Sequence, residues 1–198
     1  MDVTIECFDA GRHDARAVAR LIYQADPSLM RFVFGDEDAA VPVIAKLVGM
    51  EHNEYAGGRV TCAVDGAEVM GVIAGLTGAE RREAKKDAGR EWGKALGVRG
   101  MVRALKWGAK LESVATTDVG DDEYYISALT VDERYRGAGV GSKLLVEVAR
   151  DHDVVVTDVN IDKADAIRFY ERHGFAIEDK MTFEHEGVEL GNYKIRRG

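Results

Sequence analysis

The stretch YYISALTVDERYRGAGVGSKLL, residues 124–145, constrains this chain more than any other. An alternating apolar run leads into a loop with glycine at every second position (Gly137, Gly139, Gly141), and a second apolar-periodic run follows. The periods predict a strand over 124–131 and a helix over 142–152. Glycine permits positive φ and lets backbone N–H groups approach an anion closely. A helix beginning near Ser142 brings the positive end of its dipole to the same place. Arg134 and Arg136 add charge-assisted donors at the rim. The loop is therefore a candidate pyrophosphate site.

The rest of the chain supplies more strands and helices. VTIECF (3–8) alternates as a strand does. HDARAVARLIYQA (13–25) places Val18, Leu21, Ile22 and Ala25 on one helical face, and Pro27 stops that helix. Residues 39–50 repeat the pattern with Val43, Ile44, Leu47 and Val48. Asp65-Gly66 between two apolar runs predicts a hairpin within 59–76. VVVTDVN (154–160) reads as a buried strand, and residues 163–175 as a helix ended by Gly174. Two more strands close the chain. The expected fold is a mixed α/β (α+β) domain over residues 1–198.

Composition narrows the function classes. A net charge of -8 argues against general nucleic-acid binding. No apolar run reaches the roughly 18 residues of a membrane span, and no signal peptide opens the chain. The expected location is the cytoplasm. The two cysteines, Cys7 and Cys62, lie in strand-like runs, where cysteine is usually a small buried hydrophobe. The five histidines show no ligand spacing with them, so no metal is expected.

Two ligand classes fit a glycine loop. A dinucleotide would match the order strand, loop, helix, strand ending in Asp158. Against it, GxGxxG needs glycine where Ser142 stands, and DERYR separates Val131 from the first glycine. The other class is coenzyme A. Arg136-Gly137-Ala138-Gly139-Val140-Gly141 fills every specified position of Q/R-x-x-G-x-G/A, and AIRFYERHGF (166–175) fits A-x-x-x-Y-x-x-x-G-F one helix and one strand later. In these motifs the chain closely resembles the GNAT acetyltransferase superfamily. One position departs: where many members carry asparagine, three residues before Ala166, stands Lys163.

The resemblance implies a GNAT-like twisted mixed sheet flanked by helices. It also implies acetyl-CoA, and direct transfer to a primary amine of a protein or small molecule. Leu129, Thr130 and Val131 would then face the pantetheine arm, and residues 136–142, Arg136 to Ser142, the pyrophosphate. Lys163 could reach a phosphate. Tyr170 stands where the family carries a proton donor for the leaving thiolate, although Ile167, Phe169 and Tyr170 also read as a helix's core face. Asp158, twelve residues before Tyr170, could take the amine's proton through water, or be a solvated or ion-paired carboxylate at a strand end. Glu123 and Glu133 are rivals, and Tyr125 and Ser127 candidates for the acceptor side. His173 is expected to face water. A non-catalytic acyl-CoA sensor and an NAD-dependent oxidoreductase stand as alternatives.

Residues 78–123 have no counterpart in this resemblance, and residues 78–112 among them differ in charge. Residues 78–112 carry 10 Lys/Arg and 5 Asp/Glu, a local charge of +5, which leaves -13 for the rest. Val98, Met101, Val102 and Leu105 recur at helical spacing, predicting one or two helices inserted between the third and fourth strands (about 78–120). A solvated helical pair packed on the sheet, a lid, a homodimer contact and an anionic-surface binder are all compatible with it.

Overall fold

The computed structural model describes residues 2–198, with Asp87 described by its backbone alone. Strand β1 (Thr4–Cys7) leads to helix α1 (Ala15–Ala25), whose N-terminus is capped by the Asp14 carboxylate on the Arg16 N–H. Pro27 does end α1, but it also begins α2 (Pro27–Phe34), an element the apolar pattern did not signal. Proline suits a first helical turn, where its missing N–H has no partner to lose. Helix α3 (Glu37–Val48) follows, then the hairpin of β2 (Val60–Asp65) and β3 (Glu68–Thr77), turning at Gly66 with φ 62°.

The inserted segment is α4 (Gly78–Glu112), opened by a capping box between Thr77 and Glu80 and broken at Gly97, where φ is 62° and ψ -174°. After it come β4 (Tyr124–Val131), α5 (Val140–Ala149), β5 (Val155–Asn160), α6 (Ala164–Arg172), β6 (Ala176–His185) and β7 (Val188–Arg197). Helix α5 begins at Val140, two residues earlier than its apolar period suggests. Among the described residues no helix is long and apolar enough to cross a membrane.

The strands form one sheet in the order β1-β2-β3-β4-β5-β7-β6. Every neighbouring pair in it is antiparallel except β4 and β5. A doubly wound dinucleotide fold needs a mostly parallel sheet, so the oxidoreductase alternative fails on topology. On one face α1 and α3 bury Val18, Ile22, Ile44 and Leu47 against Cys62, Val64, Val72 and Ala74. On the other, Leu144 and Leu145 of α5 and Tyr170 of α6 cover Ile73, Ile126, Val155 and Ile195. Each large apolar side chain so buried contributes about 1.5–3 kcal/mol. Cys62 is buried as expected, but Cys7, on the edge strand, is exposed.

The pairing of β4 with β5 stops early. It covers Tyr124↔Val155, Tyr125↔Val156 and Ile126↔Thr157. Beyond that β4 stays with β3 as far as Val131↔Gly71, while β5 stays with β7 as far as Asn160↔Asn192. A bulge accompanies the parting: Ile126 faces Gly75 and Ala128 faces Ala74, so Ser127 is the extra residue. Its hydroxyl donates to the Ala74 carbonyl at 3.2 Å.

The insertion is tied to the sheet's approach by one buried carboxylate. Glu91 of α4 accepts from the N–H groups of Glu51 and His52 (3.3 and 3.0 Å) and from the Asn53 amide (2.9 Å). The apolar repeat of the second half of α4 does not face the core. Val98, Val102 and Leu105 point outward, and Trp107 and Leu111 pack instead with Phe32 of α2. Replacing Glu91 by Ala leaves three donors without an acceptor. The expected cost is about 3 kcal/mol, a melting point lower by roughly 6–12 °C. Burial works against the Glu91 charge, but the three donors outweigh it and hold its pKa below the usual 4.5. This stabilisation is complete above that value and is lost as pH falls through the lowered pKa. The difference between wild type and Glu91→Ala should therefore be full at neutral pH and shrink in acid, as measured by thermal denaturation across pH.

Candidate active site

Where β4 and β5 part, a groove of about 960 Å³ opens on the α5–α6 side. Leu129, Thr130 and Val131 of β4 form one wall, and Arg136, Gly137, Gly139, Val140, Gly141 and Ser142 form its end. Lys163 and Tyr170 line the α6 side. Of the cofactor and catalytic residues that the resemblance implies, Ala138 and Asp158 lie outside this lining, and so do Arg134, Glu123, Glu133, Tyr125, Ser127 and His173.

The loop has the geometry that its glycines imply. Gly137 and Gly139 have φ of 80° and 79°, the left-handed region that a Cβ disfavours. Gly139 is the N-cap of α5 and no side chain caps that helix, so its first-turn N–H groups face the groove end without a side-chain acceptor. The Thr130 hydroxyl oxygen is buried in the wall with no hydrogen-bond partner. The arginines are less available than their positions suggest. Arg134 is held by Asp132 and Glu68, while Arg136 donates from Nε to the Val131 carbonyl at 3.2 Å.

Tyr170 sits at the fork itself. It is buried, and burial pushes its phenol well above the ordinary value of 10.0, against a smaller pull from the neighbouring Thr157 hydroxyl. Thr157 in turn donates to the carbonyl of Ile126, the last β4 residue paired with β5. The core-face and groove-lining readings of Tyr170 thus hold together: it packs among apolar neighbours and still borders the groove.

Lys163 does not turn its ammonium toward the glycine loop. It donates to the carbonyls of Gln24 (3.2 Å) and Ala25 at the C-terminal end of α1, where the helix dipole favours a cation. Burial lowers its pKa. His173, expected to face water, is half-buried and bonds both the Phe169 carbonyl (2.8 Å) and the Ser142 hydroxyl (3.0 Å), linking the end of α6 to the first turn of α5.

Asp158 lies on the opposite face of the sheet from Tyr170, because β5 alternates and Thr157 takes the Tyr170 side. It is half-buried, and among the described residues it makes hydrogen bonds but no ion pair. Its oxygens accept from the Thr116 N–H (2.8 Å), the Thr116 hydroxyl (2.6 Å) and the Tyr125 hydroxyl (2.7 Å). Burial raises its pKa against the pull of these donors. Of its rivals, Glu123 is bound to Arg196 and the Gly120 N–H, and Glu133 lies exposed in the turn after β4.

Two residues beside Asp158 escaped the sequence reading. Arg81 of α4 lies 4.1 Å over the Tyr125 ring and donates to the Thr116 carbonyl. Glu54 is half-buried in the loop before β2. Burial raises its pKa, opposed first by Arg81 and then by Lys85. Its backbone carbonyl lies 3.4 Å from the Ser127 hydroxyl, which places it over the bulge. Neither belongs to a motif or a periodic run, so nothing local marks them.

A family model described as the acetyltransferase (GNAT) family matches residues 22–175, and the chain belongs to that family. Among curated proteins it is 35% identical over 78 residues to N-alpha-acetyltransferase 30 of Xenopus laevis; that match spans 36% of this chain and 28% of the relative. Among solved structures, an N-acetyltransferase from Staphylococcus aureus superposes with a TM-score of 0.71 at 19% identity, over 97% of this chain and 99% of the other. An acetyltransferase of the same family from Elizabethkingia anophelis, solved with acetyl-CoA bound, gives 0.52 at 15% identity, over 98% and 97%.

A side chain at Gly139 would strain the left-handed N-cap by about 1–2 kcal/mol. Gly139→Ala is expected to melt roughly 2–8 °C lower than wild type, and calorimetry would show it. An unchanged melting point would mean that the loop does not hold this conformation in solution.

Proposed function

We propose that this chain transfers an acetyl group from acetyl-CoA to a primary amine, by direct attack within a ternary complex. The observation that carries the reading is the fork: a groove with an unpaired strand edge, ending on a glycine loop and an uncapped helix N-terminus, with a buried tyrosine at its apex. The residues suit acetyl-CoA. The open edge of β4 at Leu129 to Val131 can accept an extended chain by main-chain bonding, and the orphaned Thr130 hydroxyl offers it a polar partner. The N–H groups of residues 137–142 would hold the diphosphate. When bound, acetyl-CoA supplies the activated thioester.

The chain's own groups then divide the proton work across the sheet. Tyr170, protonated at neutral pH, holds a proton for the departing sulfur on the groove side. A backbone N–H near Leu129 polarises the acyl carbonyl. Asp158 serves the acceptor side. Its oxygens are taken by Thr116 and Tyr125, so it draws the amine's proton through the Tyr125 hydroxyl or a water. The amine forms the C–N bond as the C–S bond breaks. The family match supports acyl transfer, and the curated relative's printed activity fits an amine acceptor.

Acetyl-CoA and CoA should raise the melting point by mass action, and NAD should not. Tyr170→Phe should keep that shift while the acetyl-transfer rate to a panel of peptide N-termini, lysines and polyamines falls by about 10²–10⁴. A full rate in Tyr170→Phe would remove its role. A thermal shift without turnover on any amine would favour an acyl-CoA sensor.

A further inference from the structure

The second half of α4 carries a feature that acetyl transfer does not use. Val98 and Leu105 are 82% and 80% exposed and Val102 is 60% exposed, although all three belong to the apolar repeat. With the exposed Ala109 they stand at i, i+4, i+7 and i+11, one stripe about 17 Å long. The other exposed large apolar residues, Val146, Ile177 and Val188, are scattered over other elements. Arg99, Arg103, Lys106 and Lys110 repeat the same spacing one residue later, so a basic stripe runs parallel to the apolar one, about 100° round the helix. Among the described residues no carboxylate pairs with these four. The Lys106 and Lys110 ammonium groups lie 5.1 and 5.5 Å from the Trp107 ring, which itself packs on Phe32.

We propose that this half of α4 is an interfacial helix that seats the protein on an anionic lipid surface. The exposure favours a plane over a peptide: Val98, Val102 and Leu105 stand 60–82% exposed along one side of a helix, and none of them lines the groove between β4 and β5. A ridge of apolar side chains beside a row of cations matches an acyl boundary beneath acidic headgroups. The segregation of charge supplies orientation. The inserted segment carries +5 against -13 elsewhere, so an anionic surface attracts this face and repels the rest. Gly97 lets the segment leave the direction of the first half, which Glu91 holds against the loop before β2. Binding is peripheral and reversible, with four cations and three short apolar side chains.

The test is sedimentation of the purified protein with vesicles of phosphatidylcholine alone, or with about 30% phosphatidylserine, at roughly 0.1 M salt. Sedimentation velocity is run alongside without lipid. The expected result is partition onto the acidic vesicles only. It should weaken at least about tenfold in Arg99→Glu/Arg103→Glu and in Val98→Ser/Leu105→Ser. Both variants alter exposed positions, so unchanged melting points confirm their folding. Equal partition onto both vesicles, no partition onto either, or partition retained in both variants overturns the proposal. A dimer without lipid binding that Val98→Ser/Leu105→Ser dissolves also overturns it, and assigns the ridge to a second copy of the chain.

Discussion

The rest of the molecule depends on a hydrogen-bond ladder that stops after three residue pairs. β4 and β5 are the one parallel pair in the described sheet, joined at Tyr124, Tyr125 and Ile126 and then separated. Unpaired strand edges inside a protein are costly unless something answers their N–H and C=O groups. The chain meets that demand partly by bending away through the bulge at Ser127, whose hydroxyl is turned back onto the Ala74 carbonyl. What remains open is the groove wall at Leu129–Val131. The gap persists because each strand is fully committed elsewhere, β4 to β3 and β5 to β7. Insertion of β7 between β5 and β6 keeps β5 from becoming a free edge.

Two carboxylates, the buried Glu91 and the half-buried Asp158, order the segments on either side of the inserted helix. Glu91 orders the loop that carries Glu54, and Asp158 orders Thr116 in the connection back to β4. Both bind backbone N–H groups of segments without regular structure, which would otherwise bury unanswered donors. Arg81 completes the arrangement from α4, covering Tyr125 and binding the Thr116 carbonyl. The face of the sheet that carries Asp158, the proposed acceptor side, is thus built from side chains that also hold the insertion in place.

Legibility in the sequence followed the range of each interaction. The hairpin at Asp65-Gly66, the glycine loop and the apolar face of α1 are local patterns, and they were readable because backbone φ and side-chain period act over a few residues. The family resemblance rested on residues 136–141 and 166–175, and the matching family model spans both. Helix α2 was hidden because its start signal, Pro27, is also a stop signal for α1. The bonds of the Lys163 ammonium to Gln24 and Ala25 were not legible, because those partners lie about 140 residues away in the chain. The same holds for Glu54 and Arg81, whose meaning comes only from the fold. The repeat at Val98, Val102 and Leu105 was legible as a helix, but period alone does not say whether an apolar stripe faces a core or the outside.

The period of two along β5 separates the chemistry. Thr157 and Asp158 are neighbours in sequence, yet one touches Tyr170 and the other Tyr125 on the opposite side of the sheet. A continuous sheet would keep these groups apart. Here the ladder ends at Ile126↔Thr157, the pair next to both, so the sheet is open between the two faces just beyond them. In the proposed reaction, a tyrosine buried enough to stay protonated on one side and a carboxylate bound to a second tyrosine on the other would handle protons at opposite ends of one attack. Closing the gap by extending the β4–β5 ladder would satisfy more backbone groups and would also wall these two sides off from each other.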